Sequence, residues 1–254
     1  MLQKGIYEKV INKNLERELK ERESELLSDI EKIDNEEAPE ILSQYISGVV
    51  KQALSEAKTE SIDTQLELAN KILCSIGEYG NTVTAPPKQL LAIDEMKNNV
   101  SALDGKMKVT RPETSLVRSS LFTGSRHEPS MMSELNKEIE SADYICFLVS
   151  FIKWSGLRFL IESLEKFTAK GGKLRVITTT YMGATEIKAI NALAKLSNTE
   201  IKVSYDTNIT RLHAKAYVFY RNTGYTTAYV GSSNLSNAAI SSGLEWNLKI
   251  TAMD

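Results

Sequence analysis

From about Ser115 the pattern becomes one of short apolar runs alternating with segments of helical periodicity, and this alternation most limits the folds open to the chain. "SADYICFLVSF" reads as a strand, continuous enough in apolar residues to lie in a sheet covered on both faces. "SGLRFLIESLEKFTAKGG" predicts a helix capped by Ser155 and stopped by Gly171 and Gly172. "KLRVITTT" is a second strand, "ATEIKAINALAKL" a helix and "EIKVSYD" a third strand. Strands and helices in this order predict an α/β fold, a mixed β-sheet flanked by helices. Two further strands joined by the turn "RNTG" follow, then a short helix "LSNAAISSG" and a last strand "LEWNLKIT". The chain stops at Asp254 directly after that strand, which predicts a fragment of a longer protein.

The first eighty or so residues read differently. Leu42, Tyr45, Ile46, Val49, Val50, Ala53 and Leu54 recur at helical steps, as do Ile62, Leu66, Ala69, Leu73 and Ile76. "NLERELKERESELLSDIEKI" interleaves both charge signs with leucine and isoleucine, as a helix with a solvated face does. Pro39, Gly80, Pro86 and Pro87 are expected to stop helices. Residues 1–107 are thus expected to form a helical accessory region and residues 108–254 the α/β domain.

Composition removes several classes. The longest apolar run, "ICFLVSFI", is too short to span a bilayer, and "MLQKGIYEKV" lacks the layout of a secretion signal. Cys74 and Cys146 are far apart and have no metal-type spacing, so both read as small buried hydrophobes in a cytoplasmic protein. A net charge of −2 argues against coating nucleic acid by bulk charge, though not against a local positive cleft.

The chemistry concentrates in "TRLHAKAYVFYRNTGYTTAYVGSSNLS". In a strand, residues two apart share a face, so Arg211, His213, Lys215, Tyr217 and Phe219 line one side. Leu212, Ala214, Ala216, Val218 and Tyr220 line the other, which is expected to be the apolar one. The hairpin returns the chain so that Gly231, Ser232, Ser233 and Asn234 reach the same edge, offering donors to an anionic oxygen. The last strand presents Glu245, Asn247 and Lys249 on one face and Trp246, Leu248 and Ile250 on the other. Histidine, lysine, asparagine and a carboxylate together suit a phosphodiester. Imidazole can attack phosphorus, lysine and asparagine can stabilise the non-bridging oxygens, and a glutamate can orient the imidazole. No metal ligand set or cofactor motif accompanies them, so metal and cofactor are both expected to be absent.

This combination resembles the phospholipase D superfamily, whose signature is HxK, four residues, Asp, then GSxN. His213, Lys215 and Gly231–Asn234 match it; Tyr220 stands at the Asp position, and Glu245 is expected to supply the carboxylate. The arrangement is similar to the metal-independent nuclease branch. "RPETSLVRSSLFTG", "FLVSFIKWSGLRFL" and "VITTTYMGAT" extend the resemblance to the N-terminal nuclease-like domain of bacterial superfamily II DNA helicases. That likeness implies a DNA phosphodiesterase acting through a phosphohistidine. His213, Lys215, Asn234 and Glu245 would be catalytic, and Arg211, Ser232 and Ser233 would bind the substrate phosphate. It also implies an ATP-binding helicase motor in the full-length chain, since no GKT or GKS phosphate loop occurs here.

Two other readings stand beside it: a DNA-binding module that has lost turnover, with Tyr220 as its sign, and, lower, a lipid phosphodiesterase. A membrane partner is not expected, because no membrane-binding stretch is evident. Because the chain has one HxK, and its other histidine, His127, reads as a loop residue, the working unit is expected to be a homodimer with paired His213 side chains.

Overall fold

The computed structural model describes residues 3–59, 61–93, 109–125, 127–206, 212–239 and 244–253. The chain divides into two compact units, Met1–Ile93 and Asp94–Asp254.

In the first unit, helix α1 (Lys13–Glu21) begins where the Asn12 side chain accepts the Leu15 N–H, and α3 (Ile62–Ser75) where Ser61 accepts that of Thr64. Between them, α2 (Ala38–Ala57) carries Pro39 in its first turn. The expectation that Pro39 stops a helix is therefore corrected: proline lacks only an N–H that a first turn leaves unpaired anyway, so it opens α2. The helix expected across residues 14–33 ends at Glu21. None of the residues in these three helices is fully buried.

The second unit is a seven-stranded mixed sheet with helices, the α/β architecture expected from the alternation. Its elements are β1 (Ser120–Phe122), α4 (Met131–Ser141), β2 (Tyr144–Val149), α5 (Trp154–Leu157), α6 (Ile161–Ala169), β3 (Lys173–Thr179) and α7 (Ile187–Ala194). They continue with β4 (Thr199–Ser204), β5 (Lys215–Tyr220), β6 (Thr227–Gly231) and β7 (Asn247–Thr251). The strand order is β1-β7-β6-β5-β2-β3-β4, with β2, β3 and β4 parallel and the other pairings antiparallel. Neither β1 nor α4 follows from the strand and helix patterns above. For α4 the signal was present: the Ser130 hydroxyl accepts the Ser133 N–H, and Met131, Leu135 and Ile139 recur every four residues.

One face of the sheet carries the core. Ile145, Phe147 and Val149 of β2, Leu174 and Val176 of β3, Tyr217 and Phe219 of β5 and Tyr229 of β6 share it. They are sealed by Leu135 and Ile139 of α4, Leu164 and Phe167 of α6 and Leu193 of α7. Rings meet edge to face there, Phe147 on Tyr217 at 5.1 Å and Phe219 on Tyr229 at 6.1 Å between centroids. On the other face Tyr144, Cys146 and Leu148 stay partly exposed. The expectation that this strand is covered on both faces fails, because β2 alternates buried and half-buried residues. The faces of β5 are likewise reversed: Lys215, Tyr217 and Phe219 are buried, while the face expected to be apolar remains half-open.

On β7 it is the polar side that is buried, and the cause is electrostatic. Asn247, Lys249 and Thr251 point inward and Leu248 and Ile250 outward. Lys249, with no exposed surface, reaches Glu138 of α4 at 3.0 Å and donates to Thr114 at 2.8 Å. Glu138 also accepts from Arg221 (2.5 Å), Thr227 (2.8 Å) and Tyr229 (2.9 Å). Burial alone would push the Glu138 carboxyl up, but the Arg221 and Lys249 charges outweigh it and hold the group below the usual carboxylate range. Two acidic helix residues, Glu134 and Glu138, thus draw the polar side of β7 inward.

Candidate active site

Strand directions gather the chemistry at one edge of the sheet. β2, β3 and β6 end there, and β5 and β7 begin there. Ligand sites of open α/β sheets form outside the carboxyl ends of parallel strands for the same reason: the loops converge where the hydrogen-bond ladder stops.

His213 is exposed and precedes the first residue of β5, Lys215. The Lys215 ammonium lies 3.1 Å from each His213 ring nitrogen and donates to the His213 carbonyl at 3.0 Å. Lys215 is only 9% exposed. Burial pushes its ammonium below the ordinary lysine range, and the nearby Glu245 carboxylate pulls it back up. Two residues on, Tyr217 donates to the Ser233 carbonyl at 3.0 Å, tying the strand to the Gly231–Asn234 turn.

That turn is built tightly. Ser233 is fully buried; its hydroxyl donates to Ala239 O at 3.2 Å and accepts from Asn247 Nδ2 at 2.7 Å. Ser232 N–H donates to Trp246 O at 3.0 Å, and the Ser232 hydroxyl donates to the Glu245 carboxylate. Asn234 Oδ1 accepts the Phe151 N–H at 3.2 Å, leaving the amide NH2 as the donating end. A Cβ on Gly231 would collide with Trp246 O and lie 2.6 Å from Asn247 Oδ1. Gly231→Ala is accordingly expected to push β7 away from the turn and destabilise the protein by about 1–3 kcal/mol, read as a lowered denaturation midpoint.

All but one of the residues singled out in the sequence lie among the described residues. His213, Lys215, Ser232, Asn234 and Glu245 stand at one sheet edge. The expected hydrogen bond from the imidazole N–H to Glu245 is not among those formed by the described residues; Glu245 accepts from Ser232 instead. Ser233 is turned into the fold, so its hydroxyl is spent on the turn rather than presented outward. Arg211 lies outside the described residues, as does part of the short helix expected after Asn234. Tyr220 stacks on Tyr144 with centroids 5.1 Å apart, on the half-open face and away from the buried side of Lys215.

Sequence patterns missed three supports. Phe151 contributes through its backbone N–H, which leaves no side-chain signature. Asn247 was visible as a strand residue but not as the clamp on Ser233. Gly156 admits Ser236, whose backbone would lie 2.5 Å from a Cβ there. Among the described residues, no group of three or more His, Cys, Asp or Glu side chains is placed to hold a metal ion. Nor is any described helix long and apolar enough to cross a membrane.

Residues 135–254 match the family described as cardiolipin synthase, PLD-like domain. In fold the chain is similar to NucT from Helicobacter pylori, at 20% identity and TM-score 0.40, over 52% of this chain and 84% of that one. It is also similar to Nuc, a phospholipase D family member from Salmonella typhimurium, at 22% identity and TM-score 0.39, over 53% and 84%. A third likeness is to yeast tyrosyl-DNA phosphodiesterase, at 9% identity and TM-score 0.35, over 52% and 31%. No curated protein matches the chain in sequence. His213, Lys215, the Gly231–Asn234 turn and Glu245 all fall inside the family match.

Proposed function

We propose that residues 108–254 are a DNA phosphodiesterase that works without a metal, through a phosphohistidine on His213. The observation that carries this reading is the pairing of His213 with a buried Lys215 at the edge where the Gly231–Asn234 turn stands. A phosphodiester anion placed there meets the Lys215 ammonium and the Asn234 NH2, which stabilise charge developing on its non-bridging oxygens. Ser232 adds a contact from the turn, with Ser233 supporting it from beneath, and Arg211 serves as a further phosphate contact. A His213 ring nitrogen forms the bond to phosphorus as the bond to the leaving oxygen breaks. That oxygen takes its proton from an acid, and water then releases the phosphoryl group from His213.

The acid is His213 of a second copy. One HxK supplies one imidazole, and the reaction uses two, so the working unit is a homodimer with its two sites facing. Light scattering at micromolar concentration is expected to give a dimer; a strict monomer that cuts DNA would refute the pairing. The helical region, residues 1–107, is an accessory to this domain, and a helicase motor in the rest of the full-length, cytoplasmic protein is the context. An encoded helicase downstream of Asp254 tests that last point directly.

Labelled DNA incubated with the protein in excess EDTA is expected to be cleaved. Cleavage that vanishes in EDTA and returns with magnesium would sink the histidine route. No cleavage under any condition would favour a module that only binds DNA. Glu245 gives a second handle. Glu245→Gln is expected to lower kcat more than it raises KM, since holding charge in the site matters most along the reaction path. It should also move the alkaline limb of kcat/KM. Lys215 must keep its proton, and its ammonium titrates below the ordinary value of about 10.4, so activity falls early as pH rises. Removing the Glu245 charge lowers that limb further. A limb that does not move would separate Glu245 from Lys215.

A further inference from the structure

Phe151 to Trp154, the segment that leaves β2, joins the candidate site to a groove that Trp154 lines. On one side, Phe151 N–H holds the Asn234 amide and Lys153 N–H donates to Leu235 O at 2.9 Å. On the other, Ile152 O accepts Glu186 N–H at 2.9 Å and the Glu186 carboxylate accepts Trp154 N–H at 2.8 Å. Glu186 is the residue before α7. The groove beyond has a volume of about 690 Å³ and runs between α6 and α7, with Trp154 at its head.

Its lining has a definite chemistry. Lys188 and Asn191 of α7 and Lys195 at its C-terminal cap fall at helical steps on one stripe, and all three are exposed. Glu165 is the carboxylate among the lining residues, so two cations face one anion. The Lys188 ammonium sits 4.6 Å from the centre of the Trp154 ring, and the Lys153 ammonium 5.8 Å from that of Phe151. Each of these two aromatic faces therefore has its own mobile cation, from the site edge into the groove.

We propose that this groove binds single-stranded DNA flanking the phosphate held at His213. A base stacks on Trp154 while Lys188 and Lys195 take the adjoining phosphates. Alternating ring faces and flexible cations suit an unpaired strand, because every base has a π-face to offer. A duplex keeps its bases stacked on each other and presents phosphates alone, leaving Trp154 without a partner. The inference rests on the phosphodiester reading of the site, but its test does not depend on turnover.

The test measures anisotropy of a fluorescein-labelled oligothymidylate of about 15 nucleotides, in EDTA, on the full chain carrying His213→Asn. In that background Trp154→Leu, which keeps apolar bulk against the core, is expected to weaken binding by about 10- to 100-fold. Lys188→Ala with Lys195→Ala, both surface changes, should weaken it too and lower the log–log salt slope by about 1.4 for two lost phosphate contacts. Without His213→Asn, the same groove variants should hydrolyse bis(p-nitrophenyl) phosphate at the unmodified rate, since that diester needs only the site. Unchanged oligothymidylate affinity in both variants would overturn the proposal. So would a duplex that loses as much affinity as the single strand. Failure of the otherwise unmodified protein to hydrolyse the small diester would count against the phosphodiesterase reading, while the binding measurement still decides the groove.

Discussion

His213→Asn is expected to lose DNA cleavage by on the order of 10³-fold or more, with the fold intact. The size follows from what is removed. Without the imidazole no bond to phosphorus can form, and only the positioning and charge stabilisation by Lys215 and Asn234 remain. The fold should survive because His213 is exposed and lies outside β5, so no core contact depends on its ring. Single-turnover cleavage in EDTA and a melting curve on the same preparation check both halves. A fully active His213→Asn or His213→Ala variant would remove His213 from the chemistry. Equal loss of activity and of the cooperative transition would make the residue structural.

Glu138→Ala should have the largest effect on stability. The side chain is fully buried and accepts from Arg221, Thr227, Tyr229 and Lys249. Truncating it strands the Lys249 ammonium, which has no exposed surface, and the nearly buried Arg221 guanidinium. Removing one partner of such a cluster costs about 3–5 kcal/mol, because the remaining charge stays desolvated. The cluster has a pH signature as well. Since the folded Glu138 carboxyl is held below its ordinary value of about 4.3, its contribution is fully present above that pH and fades as pH falls through the folded value. Urea unfolding at neutral pH and again at acid pH should give a large difference between the parent and Glu138→Ala that shrinks on acidification. A neutral-pH difference under about 1 kcal/mol would mean that the cluster relaxes to water when broken.

The two expectations differ in how far the sequence could supply them. His213 and Lys215 were legible because period-2 geometry is local: two residues apart in an extended chain share a side whatever the rest of the protein does. The Gly231–Asn234 turn was legible for a similar reason, being the return leg of a short hairpin. Glu138 was not legible at all. Its partners lie 83 and 111 positions away, at Arg221 and Lys249, and only the placement of β7 beside β6, under α4, brings them together.

Tertiary structure also decided the roles within the site. "YICFLV" is apolar at every position, so composition could not tell that one of its faces stays half-open; the helices packed on the sheet settled that. Ser232 and Ser233 look equivalent in sequence, yet Asn247 draws the Ser233 hydroxyl inward while Ser232 bonds Glu245. By itself, then, the sequence determined the strand and helix alternation, the two-residue spacing of His213 and Lys215, and the donors of the turn, since these depend on neighbours along the chain. The tertiary structure decided which faces are buried, which carboxylates are paired and which hydroxyl is spent, because burial and ion pairing depend on residues that only sheet order and helix packing bring within reach.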